Sequence, residues 1–209
     1  IGCMRMMTLL PLWRALLCTP NHCKFSTQLA ESPKPLPHPT RFKEHRMTAK
    51  KLHILTTGGT IDKVYFDALS EFKVGETALD AILHEANVGF DYDITQLMRK
   101  DSLDLSDDDR ASIAEAVTNS PCKSILITHG TDTMVKTAKA LGEAKDKTIV
   151  FTGAMQPARQ RSTDAIFNIG FAAACTQILP SGIYIAMNGK VFDPEHVVKN
   201  RAQQEFQDS

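Results

Sequence analysis

Several features are missing from this chain, and each absence removes a class of function. No run of about eighteen apolar residues occurs, so no membrane-spanning helix and no membrane partner are expected. There is no Cys-x-x-Cys pair and no Cys/His cluster with ligand spacing, so neither a metal nor another cofactor is expected. No basic stripe runs through the body of the sequence, which argues against nucleic acid as the main partner. Net charge is also lacking, with 24 Lys and Arg against 24 Asp and Glu. That balance hides an asymmetry: residues 1–46 hold seven Lys and Arg against Glu31 and Glu44, a net of +5, leaving −5 on the other 163. Internal repeats and low-complexity stretches are absent from the body.

What remains is ordinary for a globular protein, 43% apolar and 23% charged. The 209 residues are enough for one substantial core. Cys3, Cys18 and Cys23 fall in the front segment and Cys122 and Cys175 in the body. They read as reduced thiols of an intracellular protein, with the cytoplasm as the expected location.

Residues 1–46 are rich in proline (Pro33, Pro35, Pro37, Pro39) and contain no acid before Glu31. Arg5, Arg14 and Lys24 with a short apolar run over 9–17 suit an organellar transit peptide, mitochondrial or plastid. The preferred alternative is a leader that is not native coding sequence, because the chain opens with Ile and Met47-Thr48-Ala49-Lys50-Lys51 makes a compact start. On either reading residues 1–46 form a disordered basic extension and residues 47–209 the folded domain.

From Lys51 strand and helix signals alternate. Strands are expected over 51–56, 92–98, 124–128, 148–152 and 182–187, and helices over 77–85, 106–118, 133–141 and 163–178. Ser106 reads as an N-cap, with Asp107, Asp108 and Asp109 in the favoured first turn. Such alternation with short connections predicts an α/β fold of three layers, a mostly parallel sheet flanked by helices.

Two loops carry the chemistry. Thr56-Thr57-Gly58-Gly59-Thr60-Ile61 and Thr128-His129-Gly130-Thr131-Asp132-Thr133-Met134 each follow an apolar strand. They therefore lie at carboxyl ends of strands, where open α/β sheets bind ligands. Gly58 and Gly59 permit close backbone approach, so Thr60 either projects its hydroxyl into a pocket or merely caps a turn. Asp132 is either an N-cap or a ligand for a substrate ammonium, and N–H groups near Thr131 suit an oxyanion. His129 is a general base or a structural histidine ending a buried strand. A threonine nucleophile needs a base, and a desolvated lysine can serve, but pattern does not choose among the lysines. Hydroxyls, backbone N–H groups and one carboxylate fit hydrolysis better than phosphate binding.

Taken together, Thr57-Gly58-Gly59-Thr60-Ile61 and His129-Gly130-Thr131-Asp132-Thr133-Met134 resemble the two signatures of the bacterial-type L-asparaginase/glutaminase family. Thr152-Gly153-Ala154-Met155-Gln156-Pro157, with Ser162-Thr163-Asp164 and Phe167-Asn168, is similar to the family's next stretch, and the likeness spans residues 51–199. The resemblance implies the family's N-terminal domain, Rossmann or flavodoxin-like, and hydrolysis of the side-chain amide of L-asparagine or a related small amide. It implies Thr60 as nucleophile, Thr131, Asp132 and Lys199 as a triad, and Ser102 as holder of the substrate α-carboxylate. Asp132 would bind the α-ammonium, the Ala154 carbonyl would meet the leaving amide, and Gly59 and Gly130 would line the substrate.

Three departures stand out. The family carries a second domain after this one, so the chain most resembles a short single-domain branch. Tyr65 follows Thr60 by five residues, where the family's lid tyrosine lies further along; it either substitutes or packs beneath the loop. Leu103 stands where the family usually offers a polar side chain. Rival readings are a non-catalytic amino-acid-binding module and a partner-dependent amidase subunit supplying ammonia. The resemblance also implies a homo-oligomer.

Overall fold

A computed structural model describes residues 51–66 and 71–209. The expected basic extension over 1–46 and the compact start at Met47 lie outside the described residues. The elements in chain order are β1 (Leu52–Gly58), β2 (Lys63–Phe66), β3 (Glu71–Val74), α1 (Leu79–Glu85), β4 (Tyr92–Lys100), α2 (Asp107–Asn119) and β5 (Ser124–Thr128). They continue with α3 (Met134–Ala140), β6 (Thr148–Thr152), α4 (Ala165–Ile178), β7 (Gly182–Met187), β8 (Lys190–Phe192), β9 (Val197–Asn200) and β10 (Glu205–Asp208).

Six strands form the central sheet in the order β4-β1-β5-β6-β7-β8. The first five are parallel and β8 returns antiparallel to β7. Counted along the chain, the parallel strands run 2-1-3-4-5, so the direction of winding reverses between β1 and β5. That switch point opens a crevice at the carboxyl ends of the strands.

The three layers follow from side-chain alternation on apolar strands. Leu52, Ile54, Leu126, Val150 and Ala186 pack with Leu79 and Leu83 of α1 and Ile169, Ala172 and Ala173 of α4. The residues between them, Leu55, Ile125, Ile127, Ile149, Phe151 and Ile185, meet Ile113 and Val117 of α2 and Met134 and Ala138 of α3. Val197 and Phe206 join that second cluster, which fastens the β9–β10 hairpin to the same side as α3. Ser106 caps α2 through a capping box with Asp109: the Asp109 N–H donates to Ser106 Oγ at 3.1 Å, and the Ser106 N–H to Asp109 Oδ2 at 2.9 Å.

The parallel sheet and its helices agree with the sequence reading. Two hairpins do not appear in it. The segment after Thr60 is no simple loop but the antiparallel pair β2–β3, and β8, β9 and β10 follow β7. The described side chains of β3 are exposed or half-buried, and at four residues a strand the hairpin is too short for its alternation to stand out. Among the described residues no helix is long and apolar enough to cross a membrane.

Candidate active site

The carboxyl ends of three strands finish flush. Thr56, Thr128 and Thr152 are paired in register across β1, β5 and β6, and all three are fully buried. The loops that leave this row touch one another through glycine. At Gly59, with φ of 86°, an added Cβ would lie 2.5 Å from the Gly130 Cα and N. At Gly130 the same atom would meet Ser102 Cβ and Oγ at 2.6 Å. Neither glycine has room for a Cβ, so the β1 and β5 loops stack backbone on backbone and the Ser102 side chain packs directly on Gly130. Thr57 Oγ1 donates to the Thr128 carbonyl at 2.9 Å and Thr133 Oγ1 to the Ser102 carbonyl at 2.7 Å, which fixes the stack.

A third loop, at the end of β6, is held by Asp164 and Asn168. Asp164 accepts the N–H groups of Met155 and Gln156 at 3.0 Å. Asn168 Nδ2 donates to Asp164 at 2.9 Å and to the Gly153 carbonyl at 3.0 Å, while its Oδ1 accepts the Asn188 N–H at 3.0 Å. These bonds explain why the 162–168 stretch accompanies the loop in sequence.

Lys199 arrives from β9, far away in the chain. On that strand Val197 and Lys199 share a face, and Phe206 lies directly opposite Lys199. Since Val197 and Phe206 are buried, Lys199 is turned inward as well, its side chain only 13% exposed. Its Nζ donates to Thr131 Oγ1 at 2.7 Å and to Asp132 Oδ1 at 2.9 Å. Arg201 Nε lies 3.4 Å from the same Asp132 oxygen. Thr131 in turn faces the Met155 sulfur at 3.8 Å, a weak acceptor that leaves its proton available.

These groups border a cavity of about 260 Å³ lined by Thr60, Thr131, Asp132, Met155, Lys199, Arg201 and Gln204. Four of the residues read from the sequence therefore meet at one opening: Thr60, Thr131, Asp132 and Lys199. Gly59, Gly130 and Ala154 are buried and do not line it. Ser102 is 1% exposed, pressed against Gly130, and does not reach it either. Tyr65 stands on β2, half exposed, with its ring edge-on to Phe72 at 5.3 Å, and is not part of the lining.

Met155, Arg201 and Gln204 are additions that the sequence reading did not single out. Their only sequence signal is adjacency, to Ala154 for the first and to Lys199 for the other two.

Two nearby titratable groups are displaced by burial. Desolvation lowers His129 to about 4, which makes the ring neutral, and its Nδ1 lies 2.7 Å from the Gly130 carbonyl. Nδ1 therefore carries the proton and donates it, and the ring serves to hold the β5 loop. Desolvation also raises Asp62, at the end of the turn that begins with Thr60, to about 6. Among the described residues no group of three His, Cys, Asp or Glu is placed to hold a metal.

Residues 51–207 match the family described as "Asparaginase, N-terminal". The Haemophilus influenzae protein named "Probable L-asparaginase periplasmic" is 33% identical over 162 residues, 70% of this chain and 45% of that protein. L-asparaginase 2 of Escherichia coli is also 33% identical over 162 residues, with the same 70% and 45% coverage. The solved thermostable L-asparaginase from Thermococcus kodakarensis superposes with a TM-score of 0.68 at 28% identity, covering 76% of this chain and 51% of that one. The chain spans about half the length of the relatives it matches. With the paired threonine loops, the reversed sheet order and this match in one molecule, the chain belongs to the asparaginase family and corresponds to its N-terminal domain.

Proposed function

We propose that this chain carries the site of an asparaginase-type amidohydrolase, which converts the side-chain amide of L-asparagine, or of a related small amide, to carboxylate and ammonia. The supporting observation is the contact of Lys199 Nζ with both Thr131 Oγ1, at 2.7 Å, and Asp132 Oδ1, at 2.9 Å, beside a cavity that Thr60 also lines.

Thr60 Oγ1 attacks the amide carbon, and its proton passes to the departing nitrogen, which leaves as ammonia. Water then cleaves the resulting ester, releasing the carboxylate and restoring the hydroxyl. Thr131 and Lys199 relay the proton. The Lys199 amine sits against Thr131 Oγ1, so charge appearing on that oxygen is met by a fixed donor. Asp132 orients the lysine from the other side. None of these steps calls for a metal or organic cofactor.

The test is ammonia release from asparagine, glutamine and dipeptide amides. Thr60→Ala and Lys199→Met are each expected to lower kcat by about a thousandfold or more. Full activity in Lys199→Met removes the lysine from the mechanism, and no turnover of any amide by folded protein defeats the reading.

A further inference from the structure

The charges around the cavity do not balance. Its charged lining residues are Asp132, Lys199 and Arg201, a net of +1. Both cations converge on one oxygen, Asp132 Oδ1, Lys199 Nζ at 2.9 Å and Arg201 Nε at 3.4 Å. That oxygen of Asp132 is therefore already matched from within the protein. A substrate ammonium arriving there competes with two resident cations and meets a surplus of positive charge.

An incoming carboxylate meets the opposite situation. The Arg201 side chain is 70% exposed and turns only Nε towards Asp132. Among the described residues its two terminal nitrogens make no hydrogen bond and no ion pair. They remain a planar fork of the kind that binds a carboxylate by two parallel hydrogen bonds. Lys199 cannot take this role, because its short reach is spent on Thr131 and Asp132. Ser102 is buried against Gly130 and does not line the cavity. Beside Arg201, Gln204 adds an amide to the same wall from a left-handed backbone with φ of 53°.

We propose that Arg201 is the specificity-determining residue of this cavity. It anchors the carboxylate of the substrate, and the site takes ω-amides of carboxylic acids with or without an α-ammonium group. The proposal rests on the amidohydrolase reading for its chemistry, but its binding component stands apart from turnover.

The experiment therefore reads both, on the full 209-residue chain. Calorimetry with succinate and aspartate, which differ only in the α-ammonium, is expected to give dissociation constants within about tenfold of each other. Arg201→Gln is expected to weaken both by about tenfold, succinate more than aspartate because Asp132 is then freed for the ammonium, with Arg201→Lys recovering part of the loss. In ammonia release, asparagine and its analogue lacking the α-ammonium, the monoamide of succinate, are both expected to be hydrolysed. Arg201→Gln is expected to raise KM and spare kcat, the signature of lost binding rather than lost chemistry.

Aspartate binding without succinate binding overturns the proposal, as does failure of either dicarboxylate to bind, or an Arg201→Gln variant with unchanged affinity. Arg201-dependent binding without hydrolysis of any amide overturns the amidohydrolase reading and leaves the anchor standing.

Discussion

Titrating Asp62 tests how the loop bearing Thr60 is held. Asp62 is 2% exposed, two positions beyond Thr60, and neither carboxyl oxygen has a hydrogen bond of good geometry among the described residues. The Thr77 hydroxyl, the Ala78 N–H and the Arg159 charge favour the ionised form, but desolvation outweighs them and lifts the pKa from an ordinary 3.8 to about 6. Between those two values the folded protein holds a proton that the unfolded chain has given up. Stability from this group is therefore complete below about pH 4, declines as pH rises, and is lost once pH passes the folded value of about 6.

A rise of about two units at 1.36 kcal/mol each makes that loss roughly 3 kcal/mol. Asp62→Asn keeps the shape and removes the charge, so it is expected to flatten this slope and to stabilise the protein at pH 7 by up to roughly 3 kcal/mol. Urea unfolding of both proteins across the range from about pH 4 to pH 7 measures the difference directly. Other carboxylates do not obscure it. Asp109, held down to about 2 by Lys100 and the Ser106 N–H, contributes with the opposite slope but is common to both proteins. Parallel pH profiles refute the reasoning. So does an Asn variant less stable at pH 7, which means that Thr77 and Ala78 bind the ionised carboxylate well.

Gly59→Ala is expected to destabilise the fold by about 2–4 kcal/mol in chemical denaturation, because its Cβ meets Gly130 backbone at 2.5 Å and its φ is 86°. Asn168→Ala removes a fully buried side chain that bonds Asp164, Gly153 and Asn188, at an expected cost of about 2–4 kcal/mol. Thermal melts check it, with a drop under about 2 °C counting against the role given to that network.

What could be read from the sequence was what has short-range or periodic form. The buried strands are unbroken apolar runs, Ser106 and Asp109 stand at capping spacing, and Thr60, Thr131 and Asp132 follow strands directly. Lys199 was placed only by family register, since it reaches Thr131 across 68 positions and no local pattern separates it from other lysines. Arg201 and Gln204 lay hidden for the same reason, being cavity residues only because the β9–β10 turn folds over the switch point. The β2–β3 hairpin was missed because each of its strands is only four residues long, too short for a period to stand out. Tyr65 was drawn into the reading by its spacing from Thr60, and its pairing on β2, with the ring against Phe72, depends on that same hairpin.

The candidate site thus joins two parts with different physical guarantees. Thr60, Thr131 and Asp132 are positioned by the parallel sheet, whose register is fixed by apolar packing on both faces. Lys199 depends instead on a two-stranded hairpin of four residues a side, which is marginal by itself. What holds that hairpin in register is the burial of Val197 and Phe206 against the α3 side of the core. A slip by one residue would turn Val197 and Lys199 out and bring Val198, now 49% exposed, and Asn200 to the inner face. Neither can supply the amine that meets Thr131 and Asp132. The chemistry proposed for the cavity therefore rests on the hydrophobic anchoring of β9 and β10 as much as on the threonines themselves.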